Sequence, residues 1–196
     1  MRPFLLGAWL FILGCAGSAP ANFYTLSPLS TTNEAASRNE TAGRELAIGI
    51  GPIRVPQYLM GKGIVTRTGP NQIKIEECDL WGGSLEDDFS LALLENLSLL
   101  LAGERVSLPW LPRMGPMDYR VGVDVIRFDG RLGGNVFLHA DWSIRMGREK
   151  KIVGAHNSRI EEPTGAQTYE AMAGGMSRAL GNLSREIAQA IRALPR

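Results

Sequence analysis

The sequence predicts an α+β domain, a mostly antiparallel or mixed sheet with two principal helices packed on it as a layered sandwich. Three observations carry this. Tyr119, Val121, Val123 and Val125 alternate with Arg120, Gly122 and Asp124, and Val136 to Met146 repeats the alternation, so two half-buried strands face each other across the Gly-rich Asp129 to Asn135 turn. Two other segments follow the helical period: Leu85, Phe89, Leu93, Leu97 and Leu100 share one face, as do Tyr169, Met172, Met176, Leu180, Leu183, Ile187 and Ile191. The principal order β-β-β-α-β-β-β-α suits two layers, or three if the helices take both faces.

The 196 residues are 44% hydrophobic and 21% charged, with a formal charge of +1. Without a basic run there is no electrostatic footprint for a phosphate backbone, which argues against nucleic-acid binding. The length fits one domain with an appended piece, and that piece lies first. Arg2 precedes the apolar run Phe4 to Leu13, and small residues follow, the layout of an export signal over residues 1–14. Ten helical residues span about 15 Å, half of a bilayer core.

Ile12-Leu13-Gly14-Cys15 resembles the lipobox of bacterial lipoproteins, in which the thiol takes a diacylglycerol, cleavage precedes it, and the new amino terminus is acylated. The alternative is secretion with cleavage after Ala19-Pro20-Ala21. Lipidation at Cys15 gives several acyl chains, enough for stable anchoring. No cofactor beyond that covalent diacylglycerol and N-acyl chain is expected. Cys78 then has no intramolecular partner.

Residues 15–44 read as a tether of small and polar residues that cannot bury enough apolar area to order itself. One island, Phe23-Tyr24-Thr25-Leu26, reads as a short docking strand. The free tether then reaches at most ~25 Å, at about 3.5 Å per residue. Residues 45–196 form a single globular domain. Leu46 to Val55 is a strand whose Gly49 and Gly51 permit a bulge or close packing, and Gly63 to Thr68 with Gln72 to Glu76 is a hairpin. Ser84 with Asp87 caps the first helix, which Gly103 ends. Val106 to Trp110 is a short strand entering the Pro- and Met-rich loop Leu111 to Met117. The long hairpin slips phase at Ile126 and Phe128, which predicts a bulge. Ile152 to Ile160 is a more polar strand near an edge, and Thr164 with Gln167 is a capping box for the second helix.

Several of these segments, Phe23-Tyr24-Thr25-Leu26, Ile48 to Leu59, Ile64-Val65-Thr66-Arg67, Leu80-Trp81 with Leu85 to Phe89, Leu94 to Leu97, Pro109-Trp110 and Asp118 to Val121, together resemble the ABC-type transport auxiliary lipoproteins of the PqiC/YmbA type. The resemblance implies a partner of a lipid transport system built from MCE-domain proteins, with no catalytic chemistry. It also implies anchorage in the outer membrane facing the periplasm, because Ala16 is not the Asp that retains enteric lipoproteins in the inner membrane.

The residues themselves hold no catalytic or metal-ligating set. His139, Asp141 and His156 lack the close spacing of a metal site, and solvated surface histidines are the favoured reading. Glu86-Asp87-Asp88 suits the positive end of a helix better than acid–base work. Gly49-Ile50-Gly51-Pro52 fails as a dinucleotide fingerprint. The second helix's stripe could face a lipid or a partner helix, with core the favoured reading. Trp110, Leu111, Met114 and Met117 concentrate adaptable apolar side chains in one loop. That loop either docks a partner or folds back on the core rim.

The expected function is therefore a non-enzymatic, outer-membrane-anchored docking component. Its partners would be the bilayer, a periplasmic MCE-domain transport protein, and further copies of itself, closing into a ring if the contact is head-to-tail. A lipid carrier or chaperone of the cell envelope is the alternative, and a periplasmic hydrolase a weaker one.

Overall fold

The computed structural model describes residues 20–30, 45–108, 115–147 and 151–195. The strands are β1 (Asn22–Tyr24), β2 (Ala47–Arg54), β3 (Gly63–Arg67), β4 (Ile73–Trp81), β5 (Arg105–Ser107), β6 (Tyr119–Gly130), β7 (Asn135–Met146) and β8 (Ile152–Pro163). The helices are α1 (Leu85–Leu100) and α2 (Tyr169–Arg192). Together they form an α+β fold, two helices on one mixed sheet.

Strand β6 organises the sheet. Its alternating Val121, Val123 and Val125 are buried against the helices, and β7 pairs antiparallel along its whole length, from Tyr119↔Met146 to Gly130↔Val136. The opposite edge of β6 is shared. Strand β2 takes its first half in parallel (Ile48↔Tyr119 to Arg54↔Asp124), and β3 meets its far end at Thr66↔Gly130. Beyond them lie β5 next to β2, and β4 then β1 next to β3. Chain neighbours close in sequence (β3/β4, β6/β7, β7/β8) pair antiparallel, whereas β1/β4, β2/β5, β2/β6 and β3/β6 are parallel. Parallel partners need a long crossover, and the segment carrying α1 supplies it between β2 and β6.

Both helices lie on the same face, so the sandwich has two layers. Helix α1 covers β2 and β5, α2 covers β6, β7 and β8, and the helices pack on each other. Phe89 of α1 meets Phe128 of β6 edge-on, centroids 5.7 Å apart, and both rings are fully buried. Each such side chain contributes about 1.5–3 kcal/mol by leaving water. Leu85, Leu93 and Leu97 join them, and from α2 so do Met172, Met176, Leu180, Leu183, Ile187 and Ile191. The expected apolar stripe of α2 is thus core.

The island after the tether pairs as β1 on β4, Asn22↔Asp79 to Tyr24↔Trp81. The chain then crosses the helix pair. Leu26 is buried, the Ser27 N–H donates to Ser177 Oγ (3.0 Å), and Leu29 sits where a side chain on Gly181 would stand.

Local expectations are met at the bulge, where the β6/β7 register shifts between Val125 and Arg127. They are also met at Gly51, whose φ of 119° suits glycine and accompanies a register shift on β2, and at β8, which pairs only β7. Several boundaries differ, among them the end of β8 at Pro163 rather than Ile160. Strand β4 runs on to Trp81 because β1 gives its second half a partner, and β5 ends at Ser107. Strand β6 continues through Asp129 to Gly130, leaving a turn of only 131–134. The cap of α2 is Thr168, whose Oγ1 accepts from the Ala171 N–H at 3.1 Å. Thr164 instead donates to the Gly134 carbonyl, and Gln167 packs over Gly133, so the expected capping box ties this loop to the β6–β7 turn.

Candidate contact surfaces

Cys15, Trp110, Leu111 and Met114 lie outside the described residues. Met117 lies within them and is buried. The thioether covers bare backbone at Gly49, its Cγ 3.4 Å from where a Cβ there would stand, and its sulfur is 3.9 Å from Ser107 Oγ. The neighbouring chain holds it there, since the Ala47 carbonyl accepts from the Asp118 N–H (2.8 Å) and the Asp118 carbonyl from the Gly147 N–H (2.8 Å).

Among the described residues no group of three or more His, Cys, Asp or Glu side chains is placed to hold a metal ion. His139 and Asp141 share the side-chain amide of Asn157, at 2.8 and 2.6 Å, on the exposed face of β7 and β8. His156 stacks on Trp142, centroids 4.2 Å apart, while the indole N–H donates to Ser158 Oγ (2.8 Å) and Ser158 donates to the Glu186 carboxylate. Ser84 caps α1 by accepting from the Asp87 N–H (3.4 Å). Burial, then the charge of Asp87, raises the pKa of Asp88. Cys78 is half-buried on β4 with a free thiol.

What the helices leave uncovered is the other face of the sheet, and arginines dominate it. A groove of about 350 Å³ runs over Gly51, Pro52 and Gly122 between Arg54, Arg120 and Arg145, where Arg54 pairs with exposed Asp124 at 2.6 Å. A second pocket, of about 470 Å³, opens at the end of the sheet between Arg67, Arg127, Arg131, Asn135 and Phe137.

The second pocket has a fixed wall. Asp129 is completely buried, and both its oxygens are used. Arg67 grips them through Nε (3.0 Å) and Nη2 (3.1 Å), Arg127 Nε donates to Oδ1 (2.8 Å), and the Tyr58 hydroxyl donates to Oδ2 (3.0 Å). Burial and then the Asp129 charge push the Tyr58 phenol up to about 12, so it stays a donor. The hydrogen bond to Asp129 raises the pKa of the Arg67 guanidinium. Arg127 also lies over the Phe137 ring, 4.2 Å from its centre. One carboxylate thus orients two guanidiniums, and Arg131 stands beside them. A balanced total charge gave no sign of this cluster, and Asp129 read as a turn residue.

The model of the ABC-type transport auxiliary lipoprotein component family matches residues 24–188. The chain is 29% identical to the intermembrane transport lipoprotein PqiC of Escherichia coli K12, over 96% of each chain, and equally to PqiC of Shigella flexneri. Among solved structures, one of an uncharacterised protein superposes with a TM-score of 0.70 at 24% identity, covering 88% of this chain and 99% of that one. A Xanthomonas campestris protein superposes with a TM-score of 0.65 at 13% identity, covering 87% and 94%. These two share the fold.

Proposed function

The chain belongs to the family of ABC-type transport auxiliary lipoproteins, and from that membership we propose that it is the outer-membrane-anchored auxiliary component of an MCE-type lipid transport system, working by contact rather than catalysis. The observation that carries the reading is the match from Tyr24 in β1 to Ala188 in α2, the whole two-layer domain including the strand that follows the tether. Acyl chains on Cys15 hold the domain at the membrane facing the periplasm. With β1 docked, only Ala16 to Ala21 separate that anchor from folded structure, at most ~21 Å at about 3.5 Å per residue. Among the described residues no helix is long and apolar enough to cross a membrane.

The partners are an MCE-domain protein in the periplasm and further copies of the chain, contacted through Trp110, Leu111 and Met114. A lipid carrier would need an apolar cavity of acyl-chain size. The helix–sheet interface is instead occupied by buried Phe89, Phe128, Leu93 and Met172, which favours docking.

Cys15→Ser tests the anchor by fractionation. The variant is expected to leave the outer membrane, and retention there at high salt would show the anchor to be wrong. Affinity capture from native membranes tests the docking role. Co-purification of an MCE-domain protein is expected, and recovery of the chain alone under conditions that keep the transport complex intact would refute it.

A further inference from the structure

From the arginine pocket at the end of the sheet we infer that this protein binds a phosphate group there, with Arg127 and Arg131 as its recognition set, Arg67 adding charge from its place on Asp129 and the Pro70 carbonyl, and Phe137 as an apolar wall. Three features converge on that chemistry. Charge comes first. Asp129 neutralises one of the two guanidiniums it binds, and Arg131 makes no side-chain hydrogen bond or ion pair among the described residues, so the pocket keeps a surplus of positive charge. The other nearby acid, Glu161 on β8, accepts from Asn135 Nδ2 and has Arg159 on its own strand.

Pre-organisation comes second. Arg127 spends its Nε on Asp129 and rests its plane on Phe137, which leaves its terminal N–H groups directed to the pocket. A planar fork locked in this way loses little side-chain entropy on binding and matches the oxygen geometry of a phosphate.

Location comes third, and this part rests on the proposed Cys15 anchor. Strand β1 runs parallel to β4, so the N-terminal end of β1 points toward the Ile73 end of β4. The register Arg67↔Ile73 places Arg67 at that end, and Thr66↔Gly130 brings Arg131 level with it. From Asp79, opposite Asn22, to Ile73 is six residues, about 20 Å at ~3.3 Å per residue, which the six-residue tether just spans. The pocket therefore lies at the end of the sheet toward which the N-terminal end of β1 points. A phosphate there can come from a membrane headgroup or from solution, and Phe137 suits an amphiphile.

The test uses the chain from residue 15 onward carrying Cys15→Ser, so that neither an acyl chain nor the apolar run Phe4 to Leu13 inserts into the probe membrane and a failed anchor cannot be confused with a failed pocket. One arm measures co-sedimentation with vesicles of phosphatidylcholine alone or with phosphatidylglycerol added, and the other titrates inorganic phosphate while following Arg131 and Phe137 by NMR. Arg131→Gln, on an exposed side chain, should weaken binding about fivefold, the effect of one basic side chain at an anionic surface. Arg127→Gln/Arg131→Gln should weaken it further. The charge-matched Arg120→Gln/Arg145→Gln in the other groove should leave binding within about twofold. Vesicle binding identifies a headgroup, and phosphate perturbation without vesicle binding identifies a soluble ligand. Absence of binding in both arms, or equal losses in the two charge-matched variants, would overturn the inference, and a normal melt of Arg131→Gln keeps the result readable if Arg127→Gln unfolds.

Discussion

Asn96 donates through Nδ2 to Ser184 Oγ at 3.0 Å inside the seam between α1 and α2, and its amide oxygen accepts from the Leu29 backbone N–H at 2.6 Å. One buried side chain thereby joins both helices to the segment that descends from the tether. Ser184 is itself satisfied by donating to the Leu180 carbonyl (2.7 Å), and no water is needed to complete the set.

Asn96→Leu should therefore cost about 1–2 kcal/mol, because it takes the acceptor from the half-buried Leu29 N–H and the donor from buried Ser184 while keeping apolar volume. Chemical denaturation measures the loss, and hydrogen exchange should show residues 26–30 opening before the sheet. Unchanged protection of Leu29 would show that packing over Gly181, not the amide, holds the segment.

Val123 and Trp142 face the helices with 1% and 4% exposure. Val123→Asp or Trp142→Asp should destabilise the domain by several kcal/mol through an unpaired buried charge. Asp124→Ser removes only an exposed pair with Arg54 and should cost less than about 1 kcal/mol. Thermal melts rank the three.

Asp129→Ala leaves Arg67, Arg127 and Tyr58 without their shared acceptor. The arginines are 24% and 33% exposed, so water relieves part of the cost and a loss of roughly 2–4 kcal/mol is expected, below that of a fully buried pair. Asp129→Asn should recover part of it by keeping one acceptor oxygen.

Alkaline pH should weaken the same cluster. The folded Tyr58 phenol titrates near 12 against 10.0 as the ordinary value, so the folded state holds its proton more tightly. The resulting stability is complete below pH 10.0 and is lost as pH rises toward about 12. Tyr58→Phe should flatten that decline in pH-dependent melts, leaving the shares due to Tyr24, which is also raised to about 12, and to Tyr169, which burial raises as well.

Leu111→Ser with Met114→Ser should weaken self-association or partner capture while moving the melting temperature by little. Sedimentation and thermal melts separate the outcomes. A much lower melt would place these residues in the core rim beside Met117, and normal assembly with a normal melt would make the loop a bystander.

Features set by neighbours along the chain were legible before any coordinates. The alternation through Val121, Val123 and Val125 and its slip after Val125 follow from the period of an extended chain, and the stripe from Met172 to Ile191 follows from the helical turn. Ser84 likewise announced the start of α1, because a cap and its N–H lie three residues apart. Cys15 stood out by its place behind an apolar run. What required the tertiary structure was every relationship between distant segments. The parallel pairing of β2 with β6, and the choice of one sheet face for both helices, depend on how crossovers close, which no local period encodes. Thr168 displaced Thr164 as a cap because Thr164 had a partner in the turn at Gly134. Met117 turned inward because Gly49, far away in sequence, left backbone to cover. The arginine pocket joins Arg67 to Arg127 through Asp129 and sets Arg131 beside them. A chain whose charges cancel overall hides such a cluster, because total charge is a sum over residues whereas a binding site depends on which charges folding brings together.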